Sequence, residues 1–282
     1  MTVQLSCADY GWPSVSHRTA LAIVGDLGFA GVDIGVFGDA THVTVPSVVA
    51  DPSGRAAAVG ADVRAAGLAV ADVFLTSVLE VDRVTPTSRT GDDQDQLQAI
   101  FRAMVEFAVA LEAPGITLLP GVVADGQSLS EALDASAAGL APLVAMGADA
   151  GLGVSVEPHV GSVVESPEAT AELLDRCPGL TITLDPSHFV YAGWPVPTML
   201  GLLDRTRHVQ IRPGADGVMQ AKVRDNGFDL ELLVRSLLEQ GYDGWIASEY
   251  VWMEKWRCDE VDNTGESGRL RAVLESLLMV KQ

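Results

Sequence analysis

The stretch Val154-Ser-Val-Glu157-Pro-His159 decides how this chain is read. It opens as a short strand-like run and ends abruptly in a carboxylate and an imidazole. A carboxylate buried at the end of an apolar strand is costly unless it is paired or holds a metal. Three later runs repeat the pattern. LTITLDPSH ends in Asp185 and His188, RHVQIR carries His208, Gln210 and Arg212, and GWIASEY carries Glu249. One such strand end means little; four in succession are what a (β/α)8 barrel uses to build a site at its C-terminal face.

Working outward, the apolar runs predict eight strands: Val3 to Ala8, Gly31 to Phe37, Leu68 to Thr76, Gly115 to Leu119, Val154 to Glu157, Leu180 to Asp185, His208 to Arg212 and Trp245 to Glu249. Helical stretches alternate with them. One starts at Ser14 or Ser16 and stops at Gly28, and an Ala-rich one after Pro52 ends near Gly67. A long one runs to Leu111, another opens with the capping box Ser128/Glu131, and Ser166-Pro167 starts a third with proline where its missing N–H costs nothing. A short helix over Pro197 to Leu203 and helices over Phe228 to Gln240 and Gly268 to Leu278 complete the set. Pro46 to Pro52 and the polar, Thr-rich Asp82 to Asp93 read as loops.

This alternation predicts right-handed βαβ units, a parallel sheet and an α/β fold. Several strands are nearly all apolar, as in a barrel wall covered on both sides. No G-x-G-x-x-G follows a strand, which disfavours an open dinucleotide-binding sheet. No linker or composition break divides the chain, so residues 1–282 read as one TIM barrel.

Composition narrows the function. The formal net charge of −20 repels phosphate backbones, and no basic stripe offsets it, so nucleic acid is not an expected partner. The three cysteines are widely spaced and form no CxxC, which suggests reduced thiols. The N-terminal MTVQLSCADYGWP has no basic-then-apolar leader, and no window is long and apolar enough for a membrane span. A soluble, cytoplasmic protein is the expectation.

Residues i and i+2 of a strand share a face, so Glu157 and His159 can point together, as can His208, Gln210 and Arg212. Two Glu, one Asp and one neutral or imidazole ligand suit Mn²⁺, Mg²⁺ or Co²⁺ better than structural zinc. Such a site polarises a carbonyl–hydroxyl pair and orients a carboxylate to take a proton from the adjacent carbon.

Together E-P-H, L-D-P-S-H, H-V-Q-I-R and S-E-Y resemble the sugar phosphate isomerase/epimerase superfamily, the xylose isomerase-like barrels. The resemblance implies one divalent metal, Mn²⁺ first, held by Glu157, Asp185, Gln210 and Glu249. Both Glu would also act in acid–base catalysis, and His188 would bind substrate. Epimerases of the group carry H-x-H on strand seven. The H-x-Q here is more similar to hydroxypyruvate isomerases, which places Gln210 on the metal and His208 beside substrate or behind the ligands. The segments R-P-G-A-D-G-V-M-Q and EYVWMEKWRCDEVDNTGES resemble large subunits of C-glycoside deglycosidases. That likeness implies a small partner subunit and a catalytic role for His159.

Blander readings compete. Asp185-Pro-Ser is good helix-capping chemistry, His208 can be a packed interior residue, and Arg212 can bind substrate or pair with Asp216 or Asp225. Trp12, Trp194 and Trp252 follow strand ends, as Phe37 does, where rings often stack on sugars; Trp12 and Trp252 are taken as substrate-binding. The expected function is a metal-dependent sugar isomerase or epimerase. A lyase cleaving an oxidised glycoside and a non-catalytic sugar-binding barrel are the alternatives, with a homo-oligomer or a small subunit as possible assembly. An endonuclease-like phosphodiesterase needs more metal ligands than five histidines and this charge offer.

Overall fold

The computed structural model describes residues 3–38, 41–76, 85–88 and 90–279. Among these residues the apolar runs form nine parallel strands: β1 (Gln4–Ala8), β2 (Gly31–Phe37), β3 (Val43–Thr44), β4 (Ala69–Leu75), β5 (Gly115–Leu118), β6 (Gly153–Val156), β7 (Thr181–Leu184), β8 (Thr206–Ile211) and β9 (Trp245–Ser248). Neighbours pair in the order β1-β9-β8-β7-β6-β5-β4-β2, and β1 pairs β2 as well, so eight strands close a barrel. The two-residue β3, absent from the sequence reading, pairs only with the C-terminal end of β2.

Local chemistry sets the helices. Ser16 caps α1 (His17–Asp26) by accepting from the Thr19 N–H, and Gly28 beyond it takes φ +86°. The stretch read as a loop contains α2 (Val45–Ala50), capped by Thr44, and α3 (Pro52–Ala65) follows, capped by Asp51. Next comes α4 (Gly91–Ala110), and α5 (Leu129–Asp149) opens on the expected Ser128/Glu131 capping box. After α6 (Pro167–Arg176), α7 (Pro186–Tyr191) starts on Asp185 with proline in its first turn. The sequence reading placed its helix later, over Pro197 to Leu203; that region holds two 3-10 turns, Val196–Thr198 and Leu200–Arg205. The last helices are α8 (Leu230–Glu239) and α9 (Asn263–Met279), the latter starting five residues before the expected Gly268. Of the polar loop Asp82 to Asp93, residues 82–84 and 89 lie outside the described residues. Among the described residues no helix is long and apolar enough to cross a membrane.

The wall carries its aliphatic residues outward. Val32, Ile34, Val154, Val156, Ile182, Leu184, Val209 and Ile211 join the main apolar cluster with the helices. The inside is polar, shown by hydrogen bonds between strands that are not neighbours. Arg207 of β8 reaches Asp72 of β4 at 2.8 Å, and Thr117 of β5 meets Thr183 of β7 at 2.5 Å. His208 of β8 meets Asp33 of β2 at 2.6 Å. Glycine makes the first of these possible. A Cβ at Gly115 or Gly153, the first residues of β5 and β6, would collide with the Arg207 side chain.

Candidate functional site

Four strand ends bring their polar residues to one mouth of the barrel. Glu157 directly follows β6, Asp185 follows β7, Arg212 follows β8 and Glu249 follows β9, while Gln210 lies inside β8. All five are at most 3% exposed, so their charges are settled by one another rather than by water. Glu157, Asp185 and Glu249 each offer an oxygen within 4.8 Å of the others, a spacing that could hold a metal ion.

Asp185 both caps α7 and faces the site. One oxygen accepts from the Ser187 N–H at 2.8 Å, and the other accepts from Ser187 Oγ at 2.8 Å and from Arg212 at 2.9 Å. Arg212 also stands 3.7 Å from Glu249, so its partners are the site carboxylates and not Asp216 or Asp225. With all three carboxylates ionised, one guanidinium would leave two negative charges uncompensated. Burial, then the charges of Glu249 and Asp185, hold the Glu157 carboxyl well above its usual value against the pull of Arg212. Burial above all pushes Glu249 up to about 8, again against Arg212. Burial opposes the charge on Arg212, but Asp185 and Glu249 prevail and raise its pKa.

Among the described residues, three buried acceptor oxygens here have no hydrogen-bond partner: Glu157 Oε1, Gln210 Oε1 and Glu249 Oε2. They are hard oxygen donors, the chemistry a divalent cation selects. The residues present therefore fit such an ion.

Two histidines form one side of the site. His159 and His188 pack with ring centroids 4.0 Å apart, and His159 Nδ1 lies 2.7 Å from the Val160 carbonyl. Burial lowers the His159 pKa to about 4. Burial, then His159 and Arg212, hold His188 well below its usual value. Both rings are neutral near pH 7. His188 Nε2 lies 3.7 Å from Glu157 and 3.6 Å from Asp185; Glu157, His159 and His188 form a second grouping able to hold a metal.

A cavity of about 180 Å³ opens above these groups, with Glu157, His159, His188, Arg212 and Glu249 at its base. Its walls are Tyr10, Phe37, Phe74 and Trp256. The sequence reading did not single out Tyr10, Phe74 or Trp256. Tyr10 lies two residues past the end of β1 and donates to Glu249 at 2.7 Å. Trp256 sits in a 3-10 segment where it and Arg257 both take φ +58°, and Lys255 Nζ lies 4.0 Å above its ring. No residue pattern announces that geometry.

Other expected groups lie elsewhere. His208 is deeper in the barrel, bound to Asp33 and 1% exposed. Trp12 and Trp252 line a separate cavity with Pro13 and Val15, and Trp12 donates to Thr264 at 2.8 Å. Trp194 borders a third, with Pro195 and Phe228.

A family model described as xylose isomerase-like TIM barrel matches residues 21–277. No curated protein matches the chain by sequence. Among solved structures, an L-ribulose 3-epimerase is similar at TM-score 0.79 and 14% identity, over 99% of this chain and 95% of that one. A D-psicose 3-epimerase with D-tagatose, from Clostridium cellulolyticum H10, matches at 0.77 and 12%, over 98% and 99%. An IOLI protein with a binding zinc atom matches at 0.75 and 13%, over 96% and 98%. At these identities the likeness is one of fold.

Proposed function

The chain belongs to the xylose isomerase-like TIM barrel family, and from that premise we propose that it is a divalent-metal-dependent sugar isomerase or epimerase. Residues 1–282 would form one catalytic unit acting on a small sugar. The observation that carries the reading is the set of unpaired buried oxygens on Glu157, Gln210 and Glu249. Leaving such atoms without partners costs about 1–3 kcal/mol each. A divalent cation supplies the missing partners and, with all three carboxylates ionised, the two missing positive charges. Glu157, Asp185, Gln210 and Glu249 would hold it, with Mn²⁺ assigned first and Mg²⁺ or Co²⁺ next. When bound, the ion would polarise the sugar carbonyl and its neighbouring hydroxyl.

The chain's own groups then move the proton. One of Glu157 and Glu249 takes it from the carbon beside the carbonyl, and the C–H electron pair shifts to give an enediolate. For epimerisation the other returns a proton to the opposite face of the same carbon; for isomerisation the proton goes to the former carbonyl carbon while the hydroxyl proton passes from the neighbouring oxygen to the former carbonyl oxygen. Arg212 and the neutral His188 supply donors and acceptors to the sugar oxygens. Phe37, Phe74 and Trp256 exclude water and offer ring faces to the sugar C–H groups.

A second reading is a lyase acting on an oxidised glycoside with a small partner subunit. It is favoured by the position of His159, which borders the site cavity and also a second cavity of about 230 Å³ with largely aliphatic walls, including Leu97, Leu118 and Val122. In that reading His159 would assist proton removal and the second cavity would take the aglycone.

Sugar panels in D₂O test the choice. The isomerase reading expects Mn²⁺-dependent deuterium uptake at the carbon beside the carbonyl, abolished by Glu249→Gln. Release of an aglycone only with an added small subunit supports the lyase. Sugar affinity that survives chelation, without exchange or turnover, leaves a binding barrel.

A further inference from the structure

A glutamine offers a cation its oxygen or, after a half-turn of the amide, two N–H groups that repel it. The two ends have nearly the same shape, so the neighbours decide which faces the site. At Gln210 the neighbours are unambiguous. Its Nε2 lies 3.3 Å from Asp33 Oδ2 and 3.0 Å from Tyr10 Oη. An ionised carboxylate accepts only, so the amide must turn its N–H end to Asp33. Tyr10 accepts the second N–H and spends its own proton on Glu249 Oε1, at 2.7 Å. The bonds run one way, from Gln210 to Tyr10 to Glu249. The atoms left over are Gln210 Oε1 and Glu249 Oε2, two of the three unpaired oxygens.

We propose that Asp33 and Tyr10 are positioning residues that present the free oxygens of Gln210 and Glu249 to the metal. This rests on the four-ligand reading above and adds the device that makes a glutamine usable as a ligand. Asp33 is itself fixed, since Ser6 Oγ donates to its Oδ1 at 2.8 Å and His208 Nε2 lies 2.6 Å from its Oδ2. The same contact turns His208 away from the ligand set, so strand β8 serves the metal through its glutamine.

The test is Mn²⁺ affinity, measured by titration calorimetry, beside metal-free thermal melting. Asp33→Asn lets the new amide accept or donate, so Gln210 loses its orientation, and affinity is expected to fall about 10–100-fold. Gln210→Glu has two identical oxygen ends, and in that background Asp33→Asn is expected to cost nothing. His208→Gln removes the shortest bond to the same carboxylate, so affinity is expected to fall by a smaller factor than in Asp33→Asn, and not at all in the Gln210→Glu background. If Asp33→Asn does not fold, Tyr10→Phe keeps the ring against Phe37 and Phe74 and should weaken Mn²⁺ binding without a matching loss of melting temperature. An unchanged dissociation constant in Asp33→Asn, or equal losses in both backgrounds, overturns the positioning role alone. Absence of Mn²⁺ binding in the wild type overturns the four-ligand reading, and the positioning role with it.

Discussion

Two buried, charged clusters occupy the same barrel and differ in one respect. Deep inside, Asp72 takes Arg207 on one oxygen at 2.8 Å and Thr117 on the other, and Arg207 also donates to Ser155 at 2.7 Å. One carboxylate meets one guanidinium and the surrounding hydroxyls close the remaining bonds. At the mouth, three carboxylates meet one guanidinium and three oxygens have no hydrogen-bond partner among the described residues. The carboxylates of both clusters are equally removed from water, so their burial does not separate them. Satisfaction does: a closed network reads as structure, an open one as a place for a ligand.

The largest effect should come from breaking the closed cluster. Arg207→Met strands the Asp72 carboxylate, and chemical denaturation at pH 7 should show a loss of about 3–5 kcal/mol. The loss should be the same with and without Mn²⁺, because the two clusters act independently. Breaking the open cluster should behave in the opposite way. Asp185→Asn should leave one equivalent of Mn²⁺ unbound and abolish metal-linked stabilisation. In the wild type that amounts to about 2.7 kcal/mol at a free metal concentration 100 times the Kd.

Protons sharpen the contrast further. The folded Glu249 carboxyl, at about 8, lies above its ordinary 4.5, so the folded state holds a proton that the unfolded chain has lost. That contribution is fully present below the unfolded value and is lost as pH rises towards 8. Between pH 6.5 and 8 the metal-free protein should therefore lose stability, by up to about 1.4 kcal/mol per pH unit for each proton involved. His159, lowered to about 4, acts with the opposite sign but only between pH 4 and 6.5. Melting curves in saturating Mn²⁺ should be much flatter over the upper range. The smallest effect is expected at the rim. Trp252→Ala should change stability by less than about 0.5 kcal/mol and leave KM alone, whereas Trp256→Ala should raise KM for the sugar.

The open cluster was legible in the sequence because strand periodicity carries it. Glu157, Asp185, Gln210 and Glu249 stand on or just past apolar runs, and alternation assigns their face. The barrel was legible for the same reason. The closed cluster was not. Asp72 is a single charge inside a run that reads as an apolar wall, and only its cross-barrel partner Arg207 shows where it points; Asp33, behind the open cluster, was hidden in the same way until His208 revealed it. Trp256 was invisible because two successive left-handed residues bring it over the site, and nothing in Lys255-Trp-Arg257 announces them. Trp12 and Trp252 were read from loop position alone, which does not fix direction; both turn to another cavity. Asp185-Pro-Ser carried two meanings at once, a helix cap and a site carboxylate, and the structure uses both.

The most direct measurement is a Mn²⁺ titration of chelated wild-type protein at pH 7, with proton release followed in the same experiment. The account expects one saturable equivalent and release of protons, because a cation among Glu157, Asp185, Gln210 and Glu249 lowers the raised carboxyl pKa values. No saturable binding, or binding that takes up no charge from the carboxyls and survives Asp185→Asn, would contradict it.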